Sequence, residues 1–200
     1  MKIIVISNPE NFSGESELVN KLFKNGLEYF HVRKPSFSNE ECENYINSIS
    51  KEYHSKLIVH YHFSMLDKFK IKGLHFNESN IKFAEKYKNI HKSYSAHSFN
   101  EVLHLNKKMD YMFLSPVFDS ISKEDYKANF DINEIKTFIE SYRLGEKLVA
   151  LGGVNENNIQ KVIDTCFGGV ALMGCIWKPA INESNIEKSI AVLQQINEIM

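Results

Sequence analysis

Eight short apolar segments, each followed by a helix-sized stretch, run the length of this chain and limit what it can fold into. The segments are residues 2–7, 29–34, 57–61, 73–77, 92–97, a run opening at Asp110 and breaking at Pro116, 147–154, and 169–176. They are rich in β-branched and aromatic residues and bounded by glycine, proline or polar clusters, which is the signature of strands. Helical patterns lie between them. Residues 15–24 put Leu18, Val19, Leu22 and Phe23 on one face and stop at Gly26. Ser38 with Glu41, and Ser98 with Glu101, have capping-box spacing. Asp131 caps a helix bearing Ile135, Phe138 and Ile139, Asn155 caps one with Ile159 and Val162, and residues 185–200 carry a stripe of Ile186, Ile190, Leu193 and Ile196. Residues 64–69 predict only a short helical turn, and 81–87 a poor helix or a loop.

Regular βα alternation means parallel strands joined by right-handed crossovers. Eight units in 200 residues predict an α/β fold, a closed (β/α)8 TIM barrel forming a single domain over residues 1–200. The alternative is an open doubly wound sheet, but no strand-following GxGxxG supports a dinucleotide-binding version. A hydrophobic content of 43% suffices for one core, and a net charge of −1 argues against a nucleic-acid partner. Cys42, Cys166 and Cys175 lack metal-ligand spacing and read as buried free thiols in a reducing compartment. The first seven residues are too short for a signal peptide, and no apolar run reaches membrane-spanning length. The expectation is a soluble cytoplasmic protein with no membrane partner; the sequence leaves a homo-oligomer open.

Chemistry concentrates on the late strands. After Pro116 the chain opens into a loop carrying Ser120, Ser122 and Lys123, whose hydroxyls and ammonium suit a phosphate. The seventh segment ends in Gly152 and Gly153, and the eighth has Gly174 near its end. In a barrel of this kind phosphate commonly binds the loops after strands seven and eight, where glycine admits a backbone N–H close to an anion. Strand parity adds a second set. His31 and Arg33 on strand two, His75 on strand four, and Ser93, Ser95 and His97 on strand five all point inward in this reading. Burying polar groups costs free energy unless they are paired or wet, so any one histidine reads equally well as a hydrogen-bonded core residue. Arg33, near a strand end, is expected to take an anion with its planar fork. His60-Tyr61-His62 has no carboxylate partner nearby, so a transition-metal site is not the expected use of these histidines.

Taken together, Phe30-His-Val-Arg33, Leu57-Ile-Val59, Gly73-Leu-His-Phe76, Tyr94-Ser-Ala-His97, the stretch 110–123, Val149-Ala-Leu-Gly-Gly-Val154 and Gly169-Val-Ala-Leu172 resemble the thiamine phosphate synthase/TenI family of barrels over nearly the whole chain. The resemblance implies condensation of a pyrimidine methyl diphosphate with a thiazole phosphate, with Mg2+ and basic residues stabilising the departing diphosphate. It implies catalytic roles for Arg33, Ser95, Ser122 and Lys123, and substrate contacts from Ser120, Gly152, Gly153 and Gly174. His31, His60, His75 and His97 would line the pocket. The alternatives it implies are a thiazole phosphate tautomerase that moves protons with a histidine, and a non-catalytic thiazole phosphate binder or regulator.

The chain also departs from the family pattern. Arg-Glu-Lys on strand two is Arg33-Lys34-Pro35 here, Asn-Asp after strand three is His60-Tyr61, and Gly-Gln-Glu-Asp is Asn77-Glu-Ser-Asn80. Both metal-binding aspartates are replaced, leaving Glu78 as the carboxylate for Mg2+, with Lys34 as a second compensating group. Gly174 stands where the synthase has serine, and Pro116 where the tautomerase has its histidine.

Overall fold

In the computed structural model, which describes residues 1–119 and 129–200, the apolar segments form β1 (Lys2–Ile6), β2 (Tyr29–Val32), β3 (Leu57–Val59), β4 (Gly73–Phe76), β5 (His91–Ala96), β6 (Tyr111–Leu114), β7 (Leu148–Leu151) and β8 (Gly169–Leu172). Each strand pairs in parallel with the next. β8 returns to β1 through Lys2↔Gly169, Ile3↔Val170, Ile4↔Ala171 and Val5↔Leu172, which closes the barrel and excludes the open sheet. The helices are α1 (Glu15–Lys24), α2 (Asn39–Ser48), α3 (Met65–Lys68), α4 (Phe99–Leu105), α5 (Ile132–Tyr142), α6 (Ile159–Asp164), α7 (Gly174–Asn182) and α8 (Ile186–Ile199). Among the described residues no helix is long and apolar enough to cross a membrane.

The alternation of strand side chains splits the core in two. One set, including Val5, Phe30, Val32, Val59, Leu74, Tyr94, Met112 and Leu172, faces outward against Leu18, Leu22, Ile46, Ile135, Val162 and Leu193 of the helices. The other set fills the barrel: Ile4, Ile6, Ile58, Tyr111, Phe113, Val149 and Ala171. The capping residues act locally as expected. Ser38 Oγ accepts from Glu41 N at 3.2 Å and Glu41 Oε2 accepts from Ser38 N at 2.7 Å, a complete capping box. At α4 the box is shifted: Ser98 Oγ accepts from Glu101 N, but Glu101 accepts from His97 N rather than from Ser98 N.

Several expectations are corrected. Most strands are shorter than predicted and β5 lies one residue earlier, so Arg33, Lys34, His60, His97 and Gly152 lie just beyond strand ends. Residues 81–87 form a 3-10 helix, Ile81–Lys86. Asn155 does not cap α6; Asn158 precedes it, and the side-chain amides of both donate to Gly153 O, at 3.1 and 2.8 Å, bracing the loop after β7. β8 ends at Leu172 rather than at residue 176, because Gly174 already begins α7, a helix the apolar run 169–176 concealed. Cys42 is buried, but Cys175 is only half-buried and Cys166 is exposed, at φ 66° beyond α6.

Lys34 has a purely internal role. Its side chain is fully buried and its Nζ meets Glu15 Oε2 at 2.5 Å, while Tyr45 donates to Glu15 Oε1 at 2.8 Å and Glu10 O accepts from Nζ at 3.2 Å. Burial pushes the Glu15 carboxyl up and the Lys34 amine down, and their mutual attraction and hydrogen bond oppose both shifts. With its charge spent on α1, Lys34 is not available to replace a missing aspartate at the mouth. Removing one partner leaves the other buried and uncompensated. Lys34→Met is therefore expected to lower unfolding free energy by about 3–5 kcal/mol, and the double change with Glu15→Leu to recover much of that loss, in urea titrations.

Candidate active site

The polar wall of the barrel interior comes from β2 to β6. His31 lies on β2 and His75 on β4, with His60 one residue beyond β3. Ser93 and Ser95 on β5 and Tyr111 on β6 complete the wall. These residues form two hydrogen-bonded sets packed against each other. His31 Nδ1 meets His60 Nε2 at 2.9 Å, and His31 Nε2 meets the Tyr111 hydroxyl at 2.5 Å. His75 is held at both nitrogens, by Ser93 Oγ and Ser95 Oγ, each at 2.8 Å. The His60 and His75 rings stack with centroids 4.1 Å apart. The His31 and His75 rings meet edge to face with centroids 5.2 Å apart, which brings the two hydrogen-bonded halves together.

Burial holds the three imidazoles neutral. It pushes His31 and His60 well below the ordinary histidine value, with smaller contributions from the neighbouring rings. His75 is lowered to about 3, first by burial and then by the charge of Arg33. Desolvation also keeps Tyr111 protonated, well above its usual range. Among the described residues the one buried side-chain polar atom without a partner is His91 Nδ1, at the opposite end of β5.

Above this wall stand the rim residues. Arg33 is half-buried, its backbone pinned by Ser7, whose Oγ accepts from Arg33 N at 2.8 Å and donates to Arg33 O at 3.0 Å. Ser95 is half-buried below it. His97 does not join the inward set: β5 ends at Ala96, and the exposed His97 ring bonds Ser115 O at 3.0 Å. His62 turns away from the barrel to Asn39 Oδ1 and Lys34 O, both at 3.1 Å. Glu78 is exposed in the loop after β4.

The opposite side of the mouth is built from backbone. Gly152, Gly153 and Gly174 line one cavity of about 530 Å³ together with Asn8, Leu151 and Met173. Gly152 and Gly153 have φ of 95° and 68°, and a Cβ on them would lie 2.8 Å from Pro116 Cα and 2.4 Å from Asp119 O. Glycine is thus required by the close approach of the loops after β6 and β7. The bonds Val117 N to Leu151 O (3.0 Å) and Phe118 N to Gly152 O (3.1 Å) hold that approach. Gly174 opens α7; Ile176 N and Trp177 N already donate to Met173 O at 3.1 and 3.0 Å, which leaves the Gly174 and Cys175 N–H groups of the first turn to favour an anion. Ser120, Ser122 and Lys123 lie outside the described residues.

The residue set missed by sequence reading is Tyr111 as the partner of His31, together with Ser93 as the partner of His75. Both were legible only as inward parity, since a tyrosine in an apolar strand carries no chemical signature. For Mg2+ the donor set fits poorly. Among the described residues, His31, His60 and His75 are the one group of three or more His, Cys, Asp or Glu side chains close enough to share an ion. A hard cation prefers oxygen donors, and Glu78 stands alone as the expected carboxylate.

The profile of the thiamine monophosphate synthase family matches residues 3–176. A thiamine-phosphate synthase of Latilactobacillus sakei is 28% identical over 155 residues, a stretch covering 74% of this chain and 66% of that relative. The crystal structure of thiamine phosphate pyrophosphorylase from Bacteroides thetaiotaomicron has 29% identity and a TM-score of 0.87, covering 100% of this chain and 97% of that one. The pyrophosphorylase from Pyrococcus furiosus, at 19% identity and a TM-score of 0.81, shares the fold.

The neutral imidazoles make stability depend on pH. Because His75 titrates near 3 when folded and near 6.5 when unfolded, the unfolded chain takes up the proton first as pH falls. Stability is therefore full above the unfolded value and declines below it, by about 1.4 kcal/mol per pH unit from this one group. Urea unfolding between pH 7 and 5 should show this decline, and His75→Gln should make it shallower; equal slopes would contradict a neutral buried His75.

Proposed function

This chain belongs to the thiamine monophosphate synthase family, and from that we propose that it joins hydroxymethylpyrimidine diphosphate to thiazole phosphate, giving thiamine phosphate and diphosphate. The observation that carries this reading is the two-sided mouth. A cationic, hydroxylated set (Arg33 beyond β2 and Ser95 on β5) stands at the same end of the barrel as a glycine-lined cavity at β7, β8 and α7 (Gly152, Gly153 and Gly174). Each side suits one phosphorylated substrate.

In the proposed reaction the C–O bond of the pyrimidine methyl diphosphate breaks, and its electron pair leaves with diphosphate. The thiazole nitrogen lone pair then forms the new C–N bond to the methylene carbon. Arg33 stabilises the charge that develops on the leaving group, with Ser95 donating a hydrogen bond once its contact to His75 reverses sense. Ser122 and Lys123 are assigned to the same diphosphate and Ser120 to the substrate phosphates, on the strength of the family resemblance. The N–H groups at Gly153 and at the start of α7 are assigned to the thiazole phosphate. The aromatic and imidazole wall shields the cation from water until capture. No step is routed through Mg2+, because the described donor set does not suit it. The tautomerase reading is less favoured: His75 is hydrogen-bonded at both nitrogens, and Pro116 occupies the strand-six position.

The deciding assay is thiamine phosphate formation from the two substrates, read as thiochrome fluorescence after oxidation. Product is expected, with kcat/KM falling about 10²-fold or more in Arg33→Ala and in Lys123→Ala. Arg33→Lys should recover only part of the loss, because an ammonium cannot reproduce the planar fork. Folded protein that binds thiazole phosphate and makes no product would refute the synthase reading.

A further inference from the structure

We infer that His31, His60 and His75 form a mononuclear site for a divalent transition-metal ion of the zinc, cobalt and ferrous class, with one coordination position open to an oxyanion. One nitrogen from each ring lies within 4.8 Å of the others, and His31 Nδ1 and His60 Nε2 are 2.9 Å apart. Three imidazoles around a tetrahedral ion at about 2.0–2.1 Å place their nitrogens roughly 3.4 Å apart. The observed spread brackets that spacing, so modest ring rotations suffice.

The rings are also supported from behind, as metal-binding histidines are. His31 gives its remaining nitrogen to the Tyr111 hydroxyl. His75 has a serine on each side, so whichever nitrogen turns to the ion, the other keeps a hydrogen bond. Such partners fix ring orientation and tautomer. The three ligands come from neighbouring strands or strand ends, β2, β3 and β4, which hold them more rigidly than loops would. Linear spacing misleads here: in His60-Tyr61-His62 only His60 faces the cluster, while His62 bonds Asn39 and the Lys34 carbonyl.

Donor chemistry selects the ion. Nitrogen ligands without carboxylate suit borderline transition metals and not magnesium. Three neutral imidazoles leave the full divalent charge, and Arg33, whose field already reaches His60 and His75, adds another. That charge is balanced when an oxyanion takes the open position beside Arg33, so metal and oxyanion should bind cooperatively. The inference concerns binding alone and does not rest on the proposed reaction.

The test is a titration of chelator-treated full-length protein with Co2+, without substrates, followed by visible d–d absorption and metal analysis. One equivalent with the intense bands of a four-coordinate ion is expected. His60→Gln should weaken binding by at least 100-fold, and Tyr111→Phe, which keeps all three ligands, by about 10–100-fold. His104→Gln, on the exposed face of α4, should bind as the parent does, and circular dichroism would verify that each variant is folded. Inorganic phosphate should shift the bands and tighten Co2+ binding. Folded parent protein that takes up no Co2+, or equal affinity in His60→Gln, would overturn the site. Bands unmoved by phosphate would overturn the open position.

Discussion

Closure of the sheet between β8 and β1 is the constraint on which the rest of this molecule depends. It removes both sheet edges and divides every strand into residues that face the helices and residues that face the interior. Gly169 makes the join close: a Cβ there would sit 2.7 Å from Lys2 O. Gly73 does the same between β4 and β5, where a Cβ would meet His91 O at 1.9 Å. With the cylinder closed, alternate residues of β2, β4, β5 and β6 have nowhere to go but inward, and the imidazole network follows.

The interior is chemically asymmetric. β1, β7 and β8 contribute Ile4, Ile6, Val149 and Ala171, an apolar half whose polar capacity lies in the backbone beyond the strand ends. β2 to β6 contribute histidine, serine and tyrosine besides Ile58 and Phe113, and the burial of these polar groups is tolerable only because they are hydrogen-bonded to one another. The polar half carries no net charge of its own, and the charge of Arg33 at the rim acts on His60 and His75 within it. In the proposed reaction that division would give a phosphorylated substrate on the glycine side and an anionic leaving group on the arginine side separate places to bind.

Substitutions relative to the family pattern become intelligible as a set. A lysine placed one residue early on strand two has opposite parity, and it is drawn outward into an ion pair with Glu15 under α1. His60 stands where the pattern has a metal-binding stretch, and it stacks on His75 instead. Among the described residues the mouth thus offers imidazole where the resemblance implies carboxylate, a donor set that favours softer ions over magnesium.

Much of this was legible in the sequence. Periodicity located all eight strands, because side-chain alternation and turn residues are local properties, and parity placed His31, His75, Ser93 and Ser95 inside. Strand ends were not legible: His97 was lost from the inward set because β5 stops at Ala96, and α7 hid in an apolar run that suits strand and helix equally. The sequence by itself determined the fold class, the family and the glycine and arginine positions, since each depends on pattern and spacing along the chain. Only the tertiary structure decided that His31, His60 and His75 meet, that Tyr111 holds His31 and Ser93 holds His75, and that Lys34 is spent on Glu15. Those facts depend on the register between strands and the stagger of the closed barrel, which bring together residues from different strands that no linear spacing encodes.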